Sequence, residues 1–311
     1  MLFRSHIFKI IIFNISFFSI YFYNYLDDIF KNFLNIKKIS IIIPIFNKRI
    51  FLKECLNSVI NQSLKNIEII CIDDGSTDNS STILYNFSKY DDRFVIIRQK
   101  NKGAGFSRNK GINISKGKFI SFLDSDDKYY NNFSLQLLYE NAKKYKAIIC
   151  GGGIEILKII KNQTISEQNI FENEGFIKYV DYQNDYHYQR FIYNKNFLKK
   201  NRFLFPHYLR FQDPPFFIKC MATAKKFYAI KNLTNIFRKT EKKKEFNINQ
   251  VRDVFYGIKD CLILEENLHL YKLYNITLNR LNMKYFLRNV RKYENNNNLR
   301  KIILKLLLII E

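Results

Sequence analysis

The sequence predicts an α/β fold: a mainly parallel sheet flanked by helices, preceded by an apolar helix and followed by further helices. Three observations predict it. Over residues 39–153, short continuous apolar runs alternate with stretches whose apolar residues recur at helical spacing. The polar clusters of that region fall directly behind the apolar runs, where open α/β sheets bind ligands beyond the carboxyl ends of strands. The chain is also long enough, at 311 residues with 47% hydrophobic and 25% charged, to bury a full core.

The elements follow in order. Residues 1–38 stand apart. Ile10 to Leu26 carries no charge, and as a helix it spans about 26 Å, short for crossing a bilayer. Asn14, Ser16, Ser19 and Asn24 dilute it, and basic residues on both sides leave its orientation open. A membrane anchor or interfacial helix is expected there. "ISIIIPIF" then suits a strand buried on both faces, and Leu52, Cys55, Leu56, Val59 and Ile60 suit a helix. "NIEIICID" reads as a strand, "DNSSTILYNFSKY" as a helix, "RFVIIRQ" as a strand, and "AGFSRNKGINIS" as a helix opening past glycines. "GKFISFLD", a helix over Ser134 to Lys144, and "KAIICGGG" complete the alternation. Beyond Gly153 the pattern weakens until Asn249 to Tyr274 returns to helical spacing. The apolar end, "LRKIILKLLLIIE", is expected to pack on the domain or lie in a membrane interface.

Composition narrows the function classes. The five cysteines are scattered without a C-x-x-C pair, which suggests buried free thiols and a reducing compartment. Four scattered histidines argue against a zinc site. The formal charge of +23 attracts polyanions: nucleic acid, anionic lipid headgroups or phosphorylated substrates. Compositional drift toward Lys, Asn and Ile accounts for it equally well. No nucleic-acid motif is present, so no nucleic-acid partner is expected.

Three motifs carry chemistry. In "CIDDGSTDNS", Ser76 or Thr77 can cap the next helix, but a capped turn does not explain Asp73 and Asp74 closing a buried strand, where carboxylates need partners. Such an acid can accept from a uracil N–H or a ribose hydroxyl. "NKGAGFSRNKG" lacks the spacing of a dinucleotide fingerprint, yet Gly103 at a helix N-terminus can cradle an anion, with Arg108 as a planar donor near a diphosphate. In "ISFLDSDDKYY", Asp124 and Asp126 can face one point from a turn and hold Mn2+ or Mg2+, shared with substrate phosphates. Asp127 would orient a ligand or cap the next helix. Taken singly, this motif also reads as an acidic surface loop.

Together, "ISIIIPIFN", "IDDGSTD", "NKGAGFSRNKG" and "ISFLDSDD", in this order and spacing, resemble the inverting family 2 glycosyltransferases with a GT-A fold. The resemblance covers Ile39 to about Gly153. It implies that Pro44 and Asn47 line the nucleotide pocket and that Asp74, with Asp73, contacts uracil or ribose. It also implies that Asp124 and Asp126 form a D-x-D metal site, Asp126 being the direct ligand. Relatives carry Glu-Asp before an aromatic segment, the Asp serving as catalytic base. Here Gln212-Asp213 retains the Asp half, and Asp213 among Phe211, Phe216 and Phe217 is expected to have a raised pKa. Phe237-Arg238 resembles an aromatic-Arg pair near the diphosphate.

The chain then divides into an apolar segment (1–38), a nucleotide-sugar half (39–153), an acceptor half (154–240) and a helical region (241–311). The expected activity is metal-dependent transfer of a sugar from a UDP-type donor to a glycan or lipid-linked acceptor. The basic surface and apolar ends fit an anionic membrane, at the cytoplasmic face of the inner membrane. A sugar-phosphate nucleotidyltransferase would need a glycine-rich loop after the first strand, where "PIFNKRIF" has none. The alternatives are an inactive fold of this type and a basic membrane- or nucleic-acid-binding protein.

Overall fold

A computed structural model of the chain describes residues 37–160, 163–240, 245–281, 284–293 and 295–310. The apolar segment Ile10 to Leu26 lies outside them. By its internal contacts the chain divides at Lys37/Lys38, and everything below concerns the unit from Lys38 onward.

The strands are β1 (Ile39–Ile45), β2 (Ile67–Asp73), β3 (Phe94–Arg98), β4 (Phe119–Phe122), β5 (Lys128–Tyr129), β6 (Ile149–Ile160), β7 (Gln163–Asn169), β8 (Gly175–Lys178), β9 (Phe191–Asn194) and β10 (Lys226–Thr240). Among them run α1 (Arg49–Ile60), α2 (Ser80–Ser88), α3 (Ala104–Ile114), α4 (Ser134–Lys144), the short α5 (Tyr179–Tyr182), α6 (Lys195–Lys200) and α7 (Asp213–Ala224). After the last strand come α8 (Ile248–Asn267), α9 (Tyr271–Leu281), α10 (Lys284–Arg291) and α11 (Asn297–Ile310).

The ten strands among the described residues join one sheet, in the order β3-β2-β1-β4-β9-β6-β10-β5, with β7 on β6 and β8 on β10. The first four are parallel, β1 lying between β2 and β4. Beyond them the expectation of a mainly parallel sheet needs correcting. The β9 strand runs antiparallel to both β4 and β6, and β5, β7 and β8 also pair antiparallel. Only β10 on β6 restores a parallel pair. Of these pairs β6 and β7 form a hairpin, while β5, β8 and β9 pair with strands well separated from them in sequence, so no crossover rule sets their direction. The sheet is mixed.

Both faces are covered, as the unbroken apolar runs require. Ile39, Ile41, Ile43 and Ile45, at period two, pack with Leu52, Cys55, Leu56 and Val59 of α1. Ile42 faces the other way, with Ile70, Ile72, Ile112 and Phe122. There the helix α3 comes so close that a Cβ on Gly111 would stand 2.5 Å from Ile42 Cγ2. All five cysteines are buried free thiols. A third cluster joins Val251, Phe255, Ile258 and Leu262 of α8 to Leu299 of α11, so the first turns of the apolar C-terminal helix do pack on the domain. The helical spacing over Asn249 to Tyr274 resolves into two helices, since the chain turns at His269 (φ 54°) between α8 and α9. Among the described residues no helix is long and apolar enough to cross a membrane.

Candidate active site

The carboxyl ends of β1, β2 and β4 deliver three loops to one edge of the sheet, and each motif folds there for an identifiable reason. At the end of β1, Pro44 is buried and its carbonyl accepts from Ser125 Oγ at 2.9 Å, tying the first strand to the acidic loop. Asn47 takes a left-handed conformation (φ 52°), which Asn tolerates better than most residues. Its Oδ1 accepts from the backbone N–H of Thr77 at 2.8 Å, so it organises the "DGSTD" turn.

Asp73 and Asp74 are both 2% exposed. Asp73 accepts from Ser76 N at 2.9 Å and from Ser81 Oγ. Asp74 accepts from Gln99 Nε2 at 2.8 Å, Lys102 N at 2.9 Å and Gly103 N at 2.8 Å. These are the partners that buried carboxylates require, and they are protein donors. Any nucleotide contact by either acid shares oxygens already engaged. Gly103 (φ 94°) starts α3 in a conformation that favours glycine, with its N–H turned back to Asp74. The expectation of Ser76 or Thr77 as helix cap is corrected: α2 begins at Ser80, whose N–H is accepted by Asp78 Oδ1 at 2.9 Å.

The centre of the site is Arg108. It is 3% exposed and reaches two carboxylates at once, donating to Asp124 Oδ1 at 2.6 Å and to Asp213 Oδ1 at 2.9 Å. Its guanidinium carbon lies 5.2 Å from the ring centres of both Tyr188 and Phe205, which meet each other edge-on and together wall one side of it. Burial opposes its charge, but Tyr188, Asp124 and Asp213 raise its pKa above the ordinary arginine value. Arg108, expected as a planar donor near a diphosphate, has these two acids as its partners here.

The acidic loop divides its three carboxylates among different partners. Burial works against the charge of Asp124, yet Arg108, then Gln189 Nε2 at 3.1 Å, hold its carboxyl below the usual range. Asp126 takes the Lys48 ammonium and keeps 29% of its side chain exposed. Asp127 caps no helix: its Oδ1 accepts from the backbone N–H of Arg238 at 2.8 Å, fastening the loop to β10. Burial, then Asp124 and Asp126, push the Asp127 carboxyl well up, so it resists ionisation. Arg238 also donates to the Asp126 carbonyl at 2.8 Å and pairs with Glu54. The aromatic-Arg pair therefore stands at the acidic loop.

Asp213 opens α7, with Pro214 behind it in the first turn. Its carboxylate is walled closely yet 35% exposed to a cleft, and burial, against the pull of Arg108, pushes it up to about 6. Gln212 is buried with its Cγ close to Gly105 of α3.

The cleft beyond Asp124 and Asp213 has a volume of about 680 Å³. Sequence reasoning missed Gln189, Tyr188 and Phe205, because the Tyr- and Phe-rich stretch that holds them has no periodicity or motif. Lys48 follows Asn47 directly and could have been found as the one cation in that loop facing an acidic motif.

As for a metal, no three His, Cys, Asp or Glu side chains converge among the described residues. Both Asp124 oxygens hold protein donors, whereas Asp126 is part-exposed and already faces a cation. The donor chemistry fits a hard divalent ion at Asp126 completed by ligand oxygens, rather than an all-protein cage.

Comparisons with known proteins bear on the family and the fold. A family model described as Glycosyl transferase family 2 matches residues 40–222. The chain is 30% identical over 217 residues to the uncharacterized glycosyltransferase EpsJ of Bacillus subtilis, covering 64% of this chain and 60% of that one. It is 34% identical over 195 residues to the poly(ribitol-phosphate) beta-glucosyltransferase of Bacillus spizizenii, covering 61% of this chain and 30% of that one. With GlyA of Streptococcus pneumoniae it shares 41% over 115 residues, only 16% of that protein. The chain thus spans less than two thirds of these curated relatives. The structure of S. aureus TarS 1-349 in complex with UDP-GlcNAc superposes with a TM-score of 0.63 at 20% identity, over 78% of this chain and 72% of that one. The fold is GT-A-like.

Proposed function

Because the chain belongs to glycosyl transferase family 2, we propose that it transfers a sugar from a nucleotide-activated donor, a UDP-sugar, to an acceptor hydroxyl with inversion. The acceptor is a glycan or lipid-linked glycan, in cell-surface polysaccharide or lipooligosaccharide synthesis. A basic surface fits an anionic membrane, and the donor implies the cytoplasmic face of the inner membrane.

The observation that carries the reading is the bridge Asp124–Arg108–Asp213. It sets a carboxylate of raised pKa within one side chain of the loop expected to hold the donor diphosphate. Near neutral pH Asp213 is mostly ionised, yet basic enough to accept a proton. It takes that proton from the acceptor hydroxyl while the acceptor oxygen attacks the anomeric carbon. The bond to the diphosphate breaks on the opposite face, its electron pair leaving with the nucleotide. One displacement inverts the centre. Arg108 holds Asp213 by one oxygen and keeps it aimed; Asn47 and Asp74 shape the two loops around the nucleotide. Asp126 would hold Mn2+ or Mg2+, whose chemistry is to neutralise charge on a departing diphosphate.

Calorimetric titration with UDP, with and without Mn2+, tests this on the protein and on Asp126→Ala. Metal-dependent UDP binding that the variant loses is expected. A folded protein that binds no UDP under either condition would refute the donor assignment.

A further inference from the structure

The cleft beyond the Asp213 carboxylate meets the nucleotide motifs at Asp124 alone. It touches Asp124 and Asp213 but not Asn47, Asp73, Asp74 or Asp126. Its volume, about 680 Å³, falls within the range of about 300–1,000 Å³ usual for small-molecule sites. The walls are aromatic: Tyr186, His187, Phe211, Phe237 and Phe246. His187 packs edge-on to Phe237 with ring centres 5.4 Å apart. Burial, then Arg190, lowers its pKa to about 4, so at neutral pH it offers a ring and no charge. Such faces suit the C–H surface of a sugar or polyol.

The charges of the cleft do not cancel. Arg108 shares one positive charge between Asp124 and Asp213, and Arg210 also draws the Asp213 carboxyl down. Lys158 pairs with Glu167, and Arg280 pairs with Asp185 at 2.5 and 2.7 Å. Two cations remain. Arg210, half-buried, lies over the Phe246 ring at 5.2 Å, and Lys239 is exposed two residues beyond Phe237 on the same side of β10. Among the described residues neither makes an ion pair. Arg210 acts on Asp213 without forming an ion pair with it, and an anionic substituent would take up the one positive charge in excess.

We propose that this cleft takes an acceptor bearing an anionic group, a phosphate ester or a carboxylate, on its sugar or polyol, and that Arg210 and Lys239 hold that group while the hydroxyl faces Asp213. This rests on the transferase reading, and its closing experiment separates the two.

The full chain, saturated with UDP and Mn2+, is titrated with glucose, glucose 6-phosphate and glucuronate. The two anionic probes should bind at least about fivefold tighter than glucose, as charge-assisted hydrogen bonds at a part-exposed site allow. Whichever binds tighter identifies phosphate or carboxylate as the group read. In Arg210→Gln/Lys239→Gln both should fall to the glucose level, with glucose and UDP binding unchanged. Equal binding of all three probes, no binding of any, or a variant that weakens charged and neutral probes alike would overturn the proposal. UDP titration of the same samples distinguishes the failures. UDP binding without anion preference sinks this inference alone; absent UDP binding removes the transferase reading and this one with it.

Discussion

Arg108 Nη1 stands 2.9 Å from Asp213 Oδ1, across 105 residues of sequence, and its other arm holds Asp124. One guanidinium therefore orients the candidate base and anchors the acidic loop. If Asp213 takes the acceptor proton, Asp213→Asn should lower kcat by about 10²- to 10⁴-fold, the usual worth of a positioned general base. UDP affinity should be retained, which separates a chemical defect from lost binding. Full activity in the variant would remove Asp213 from the mechanism.

The pH profile follows from the same carboxylate. Burial raises Asp213 to about 6, and the base works in its ionised form. Activity is thus present above that value and lost as the pH falls through it. We expect kcat/KM with an acid limb near pH 6 and a plateau by pH 7, measured at constant ionic strength. A limb near pH 4 instead would point to an unperturbed carboxylate.

Removing the guanidinium leaves two acids uncompensated at its site. Arg108→Met should cost about 3 kcal/mol in urea denaturation, the low end for breaking a buried pair, because Asp213 is 35% exposed. Arg108→Lys keeps the charge but cannot fork to both carboxylates, so its loss should be smaller. Its acid limb should move upward, as Arg108 is what draws the Asp213 pKa down. An Arg108→Met protein as stable as the parent would contradict the bridge.

Packing between α3 and β1 is tested separately. The Cβ of Gly111→Ala would meet Ile42 Cγ2 at 2.5 Å, and overpacking of this kind costs about 1–3 kcal/mol. Adding Ile42→Ala removes the obstructing atoms. The double variant should then be more stable than the sum of the single effects predicts. Strict additivity in thermal melts would mean that the contact is relieved elsewhere.

Lys48 neutralises Asp126, the acid proposed to hold the metal. Lys48→Met should therefore strengthen Mn2+ binding in the absence of nucleotide, by up to about fivefold given the modest worth of part-exposed ion pairs. Electron paramagnetic resonance of free Mn2+ reads this directly. Unchanged affinity would show that the ammonium does not compete for the carboxylate.

The first half of the fold was legible because its signals are local. Period-two isoleucines, helical spacing in α1 and glycine before α3 each report on their immediate neighbours. So did the clustering of Asn47, Asp73, Asp74, Asp124 and Asp126 at strand ends, since parallel strands point their carboxyl ends one way. The second half was illegible for the converse reason. The order β9-β6-β10 and the break at His269 depend on which distant strand or helix offers a partner.

By itself, then, the sequence determined the alternating α/β frame of the first half, the motif positions and Asp213 as a carboxylate in apolar company. Only the tertiary structure decided which donor each carboxylate faces: the Arg108 guanidinium for Asp124 and Asp213, the Lys48 ammonium for Asp126, the Arg238 backbone N–H for Asp127. Motif spacing records what a loop can present to one point. Charge pairing needs groups brought together from far along the chain, and it is burial of those groups in a common site that makes each pairing obligatory.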